Sequence, residues 1–138
     1  MLAEAERATL IEELARSDRG RGLGVAPGRE AQRRSPACGD EVRVRVVADG
    51  DRLAVRWEGH GCTVSTAASA ALSVAAEGLD ADGFRDLAAR YLATLEAGAD
   101  ADPDLGDLEA FAGIGRYPLR AGCASLAWRA ALDALGAD

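Results

Sequence analysis

The chain has 138 residues, a net charge of −7 and three cysteines. That length suits one domain able to bury a core without disulfides. The odd cysteine count argues against a disulfide framework, and the acidity argues against a nucleic-acid binder, which leans on a basic excess. Apolar residues make up 49% of the chain and aromatics only 4%, with abundant alanine, a composition of closely packed helices rather than a β-sandwich. No run approaches the roughly 18 apolar residues of a membrane span, and the acid-bearing N-terminus "MLAEAERATLIEELARS" is unlike a targeting signal, so a cytoplasmic protein with no membrane contact is expected.

In chain order, residues 2–16 read as a helix in which Leu2, Leu10, Ile11 and Leu14 share a face. Residues 17–34, dense in Gly, Pro and Arg, read as a loop. "EVRVRVV" alternates Val42, Val44 and Val46 with Arg43 and Arg45, and "RLAVRW" alternates Leu53, Val55 and Trp57 with Arg52 and Arg56. With the Asp49–Gly50 turn between them, these predict a β-hairpin with one apolar face. Everything after Cys62 reads as helix: the small-residue run from Cys62, a second helix carrying Phe84, Leu87, Tyr91 and Leu95 and ending on Gly98, a short helix near 105–111, and a last helix burying Leu126, Ala127, Ala130 and Leu135. The whole chain, 1–138, therefore reads as a single α+β domain: an N-terminal helix within 1–16, a loop over 17–34, and a core over 35–138 with helices packed on one face of a small antiparallel sheet.

Each cysteine falls at the end of an element. Cys38 lies on the turn entering the first strand, Cys62 at the start of a helix, and Cys123 in the first turn of the last helix. Helix N-termini favour thiolates. The hairpin returns the chain beside its own start, so Cys38 and Cys62 should meet at one end of the sheet, and Cys123 joins them if the last helix packs beside the one after Cys62. Gly39 permits a tight turn that lets Cys38 and Asp40 point the same way. Three thiolates and one carboxylate complete a tetrahedral zinc set; the same soft ligands suit iron or an iron–sulfur cluster, and the plainer reading is three cysteines packed in an alanine-rich core. Arg120, three residues before Cys123, is placed to offset the ligands' negative charge, with Arg116 as a second cation.

"PACGDEVRVRV", "GHGCTVSTAASA" and "LGDLEAFAGIGRYPLRAGCASLAWRA" together resemble, in order and across roughly residues 35–135, the SufU branch of the IscU/NifU-N iron–sulfur cluster assembly proteins. The chain between Cys62 and Cys123 is longer than in the IscU-type scaffolds, and Gly122 stands where that branch places a histidine before the last cysteine. The resemblance implies a SufU/IscU-like fold and a zinc site made by Cys38, Asp40, Cys62 and Cys123, with Cys38 as persulfide acceptor. It also implies a zinc-dependent sulfurtransferase that serves a SufS-type, pyridoxal-phosphate-dependent cysteine desulfurase. The alternatives are an IscU-like scaffold holding a transient [2Fe–2S] cluster on the same ligands, and a structural zinc module.

The remaining marked residues carry weaker expectations. His60 reads as a surface or neighbouring group rather than a catalytic one. Arg43, Arg45, Arg52 and Arg56 read as a solvated sheet face that blunts edge pairing, with electrostatic docking as the other reading. Trp128 reads as core, and the acidic run 100–107 as a solvated loop.

Overall fold

The computed structural model describes residues 3–35, 39–99 and 102–136. Helix α1 (Glu4–Ser17) is followed by strands β1 (Arg29–Arg34), β2 (Glu41–Asp49) and β3 (Arg52–His60), then α2 (Thr63–Ala76), α3 (Ala81–Thr94), two 3₁₀ segments (Pro103–Phe111 and Ile114–Arg116) and α4 (Pro118–Leu135). The strands form one antiparallel sheet in the order β1-β2-β3. The alternation read from the sequence holds: Val42, Val44, Val46, Leu53, Val55 and Trp57 are all buried on one face, and α2 and α4 pack against that face, giving the expected α+β architecture. The hairpin turns at Gly50 and Asp51, one residue later than expected, because Asp49 pairs with Arg52.

The helical layer is alanine-rich for a geometric reason. Ala67, Ala68 and Ala71 of α2 and Ala124, Ala127 and Ala131 of α4 are buried, and small side chains let the two axes approach closely while the aromatics fill the remaining volume. Trp128 stacks on Tyr91 at 4.1 Å between ring centroids and on Phe84 at 6.0 Å. Its indole N–H donates to the carbonyl of Ala68 (3.1 Å), and the Tyr91 hydroxyl donates to that of Ala124 (2.8 Å). Burial pushes the Tyr91 phenol well above its usual range. These two bonds tie α4 to α2 and α3, so the turn of α4 bearing Cys123 is fixed from within the core. Leu126, Ala127, Ala130 and Leu135 are buried as expected.

Four expectations are corrected. Residues 17–34 are not all loop: 29–34 form edge strand β1, paired with β2 from Arg29↔Val46 to Arg34↔Glu41. Two of its three inward positions carry arginines, Arg29 and Arg33, on either side of the partly buried Ala31. The Arg29 guanidinium donates to the carbonyl of Leu135 (2.8 Å), and Arg33 pairs with Asp133 (2.6 Å), so the strand docks on the end of α4 through cations and leaves no hydrophobic period to read. Three of the four hairpin arginines, Arg45, Arg52 and Arg56, are more than a solvated face, while Arg43 is exposed as expected. Arg45 donates to the carbonyls of Leu23, Gly24 and Ala26 (3.2–3.4 Å), Arg56 to those of Gly22 (2.6 Å) and Arg21 (2.9 Å), and Arg52 to that of Gly78 (3.2 Å). Arg45 and Arg56 clamp residues 21–26 as a strap over the outer face of the sheet, and the backbone of Gly20 and Gly22 pairs with Trp57 along the β3 edge. The acidic run is anchored too: Arg90 of α3 grips Asp102 at 2.8 and 2.9 Å and Asp104 at 3.0 Å. Helix α3 stops at Thr94, four residues before Gly98. Leu2, Cys38 and Asp100 lie outside the described residues. Among the described residues, no helix is long and apolar enough to cross a membrane.

Candidate metal centre

At the end of the sheet opposite the hairpin turn, three elements converge. The segment entering β2 is closed by two backbone bonds, Ser35 N–H to the carbonyl of Asp40 and Gly39 N–H to that of Ser35, both 2.8 Å. Gly39 takes the left-handed conformation (φ 73°) that this turn demands, and the turn sends the Asp40 side chain inward, where the residue is 4% exposed. Cys62 follows β3 closely and is the N-cap of α2: its sulfur accepts the Ser65 backbone N–H at 3.5 Å. A cysteine thus stands where Ser, Thr, Asp or Asn usually caps, with its sulfur at the positive end of the helix dipole. Cys123 projects from α4 and is buried. It sits in the second turn, not the first as expected, because Pro118 starts the helix earlier.

The donor atoms of Asp40, Cys62 and Cys123 all lie within 4.8 Å of one another. Donors around a tetrahedral zinc stand roughly 3.5 Å apart, given metal–ligand distances of about 2.0–2.3 Å, so a small closure brings this group onto one ion. The carboxylate supplies a second sign. Asp40 Oδ2 is buried with no hydrogen-bond partner among the described residues, and a buried charged oxygen left without a donor is costly. A cation between it and the two sulfurs removes that cost. Two sulfurs and one oxygen fit zinc or iron and do not fit magnesium or calcium, which take oxygen.

Cys38, read as the fourth ligand and sulfur acceptor, lies outside the described residues, next to Gly39. Arg120 and Arg116 line the same cleft of about 650 Å³ as Cys62 and Cys123. Their guanidinium carbons sit 5.2 and 5.1 Å from the Tyr117 ring centroid. Arg116 is paired with Glu4 at 3.3 Å, whereas Arg120 has no ion pair among the described residues, so it is the cation available to compensate charge at the cleft mouth. His60 ends β3 on the outer face, opposite Glu41, in a hollow shared with Arg43 and Glu58; it does not join the Asp40–Cys62–Cys123 group. Two supporting features escaped the sequence reading. The Ser65 N–H is signalled only by "CTVS" read as an N-cap and its third residue. The close approach of Gly61 to Asp40, whose carboxylate carbon lies 2.8 Å from the point a Cβ on Gly61 would occupy, has no local sequence signal.

The chain is 33% identical over 99 residues to the zinc-dependent sulfurtransferase SufU of Bacillus subtilis (strain 168), covering 70% of this chain and 67% of that one. It is 33% identical over 115 residues to the iron–sulfur cluster assembly scaffold protein IscU of Streptococcus pyogenes serotype M1, covering 81% and 72%. The crystal structure of FiSufU from Fervidobacterium islandicum AW-1 superposes with a TM-score of 0.76 at 25% identity, over 91% of this chain and 93% of that one. The family model of the NifU-like N-terminal domain matches residues 16–124, a span that contains Asp40, Cys62 and Cys123, and the chain belongs to that family.

Proposed function

We propose that the protein is a zinc-dependent sulfur carrier of iron–sulfur cluster assembly, taking persulfide sulfur from a pyridoxal-phosphate-dependent cysteine desulfurase. The observation that carries this reading is the meeting of Asp40, Cys62 and Cys123 at one point, with Asp40 Oδ2 buried and unpartnered among the described residues. The SufU relative, named as a zinc-dependent sulfurtransferase, supports the choice of metal and activity. Asp40, Cys62 and Cys123 would hold zinc together with Cys38. Bound zinc keeps thiols deprotonated and, being redox-inert, neither oxidises nor reduces the sulfur carried beside it.

The chain's own part in transfer is nucleophilic. The Cys38 thiolate attacks the terminal sulfur of the donor's cysteine persulfide. A new S–S bond forms to Cys38 while the donor's S–S bond breaks, and the donor cysteine leaves as a thiolate with the electron pair. The transferred sulfur keeps its oxidation state, so no outside reductant is required. Cys62 and Cys123, fixed by the α2 N-cap and the core of α4, stay in place while Cys38, the residue before Gly39 in the chain, reacts. Arg120, lining the same cleft as Cys62 and Cys123, offsets the negative charge of the ligand set.

A scaffold for a [2Fe–2S] cluster as cargo is the second reading, favoured by the IscU relative. Gly122 weighs against it: the chain has no histidine before the last cysteine, although nothing lies within 4 Å of the Cβ position there. The test is desulfurase turnover with added protein. Colourless, zinc-loaded protein that accelerates sulfide release, with acceleration abolished by Cys38→Ala, is expected; brown protein with labile iron and sulfide, or zinc-loaded protein without effect on the desulfurase, contradicts the carrier reading.

A further inference from the structure

We propose that Gly61 is a positioning residue of the metal centre, whose missing Cβ is what allows the Asp40 carboxylate to seat against Cys62 and Cys123. The inference rests on the metal-binding reading above and adds a residue to it. Gly61 joins the last residue of β3 to the N-cap Cys62. A Cβ placed on it would lie 2.8 Å from Asp40 Cγ, 3.0 Å from Asp40 Oδ2 and 3.0 Å from Ser65 Cβ. Contacts that short do not persist between carbons, so something must yield.

The surroundings decide what yields. Ser65 is buried and its backbone sits in the first turn of α2, locked by the bond from its N–H to Cys62. Asp40 is held by its backbone turn, but its carboxylate is the free end of a short side chain, with Oδ2 bonded to nothing among the described residues. The carboxylate is therefore the part that moves, out of the position it holds within 4.8 Å of the two sulfurs. Backbone strain does not enter, because Gly61 is not among the glycines of positive φ and its conformation is open to alanine. The substitution Gly61→Ala thus acts as a steric probe aimed at one ligand. Expulsion of the one oxygen donor found among the described residues leaves the thiolates as the remaining protein ligands and weakens the hold on a borderline cation such as zinc.

The experiment is chelator competition for zinc and the absorption spectrum of the cobalt-substituted protein, run on the wild type, Gly61→Ala, Asp40→Ala and the double variant. Gly61→Ala is expected to lose about 10–100-fold in zinc affinity, the scale of losing an orienting contact around a metal ligand, and to shift the cobalt ligand-field bands toward those of Asp40→Ala. In the Asp40→Ala background it should change affinity less than about twofold, because two changes acting through one group are not additive. Should Gly61→Ala alone fail to fold, recovery of a folded chain in the double variant supports the same steric conflict, and failure of both overturns it. Wild-type zinc affinity and an unshifted cobalt spectrum in Gly61→Ala overturn the inference alone; so does a full additional loss in the double variant, which would route the effect through Ser65. A wild-type chain that binds neither ion overturns the metal reading along with it.

Discussion

The aromatic core and the tip of the sheet treat buried polar atoms in opposite ways. Under the sheet, each of these trapped polar groups has a partner: the Trp128 indole on Ala68, the Tyr91 hydroxyl on Ala124, the Ser69 hydroxyl on Ser65, the Thr94 hydroxyl on Tyr91. At the tip, Asp40 Oδ2 is equally buried and has none among the described residues. The other two unmet atoms, Nε of Arg7 and Nε of Arg45, belong to guanidiniums already bonded through their terminal nitrogens. A fold that satisfies its interior this thoroughly leaves an anion bare only where something else completes it. The two cysteines within 4.8 Å point to a metal ion as that something.

Substitutions at the two places should therefore behave differently. The largest effect belongs to the core. Trp128→Ala removes a fully buried ring stacked on two others and should cost about 3–5 kcal/mol in urea unfolding. Zinc stoichiometry in the folded fraction should be unchanged, because the Tyr91 hydroxyl still holds the turn bearing Cys123 through Ala124, and loss of metal ahead of unfolding would show that core and site are not separable. The smallest effect belongs to Asp40 in the metal-free protein. Asp40→Ala removes a buried carboxylate whose Oδ2 accepts no hydrogen bond among the described residues, so stability should stay within about 0.5 kcal/mol of the wild type or rise. The same variant should lose zinc to a chelator far more readily. A loss of several kcal/mol without metal would mean that Asp40 serves the fold and not an ion.

What the sequence disclosed follows the same division. Val42, Val44 and Val46 against Leu53, Val55 and Trp57 show their face because each apolar side chain reports its own burial, and the helix after Cys62 shows itself through small-residue packing. Asp40, Cys62 and Cys123 were legible as candidate ligands from residue type, from the hairpin that returns the chain beside its own start, and from the expected packing of the last helix beside the one after Cys62. Strand β1 was not, because Arg29 and Arg33 stand where apolar residues would mark the inward face and make their contacts to a helix end about a hundred residues away. Nor was the strap: Arg45 and Arg56 alternate as solvent-facing residues do, and only the return of 21–26 over the sheet turns them into clamps. The role of Gly61 was invisible for a further reason. A missing atom carries no chemical signature until its neighbours are known.

In the proposed function, separate elements of this fold place a carboxylate and thiolates on one ion. X-ray absorption at the zinc edge of the purified protein tests it most directly. One zinc per chain is expected, with three sulfur donors at about 2.3 Å and one oxygen donor at about 2.0 Å, the oxygen contribution altered in Asp40→Ala. Protein without bound zinc, or zinc ringed by nitrogen and oxygen with no sulfur, would contradict it.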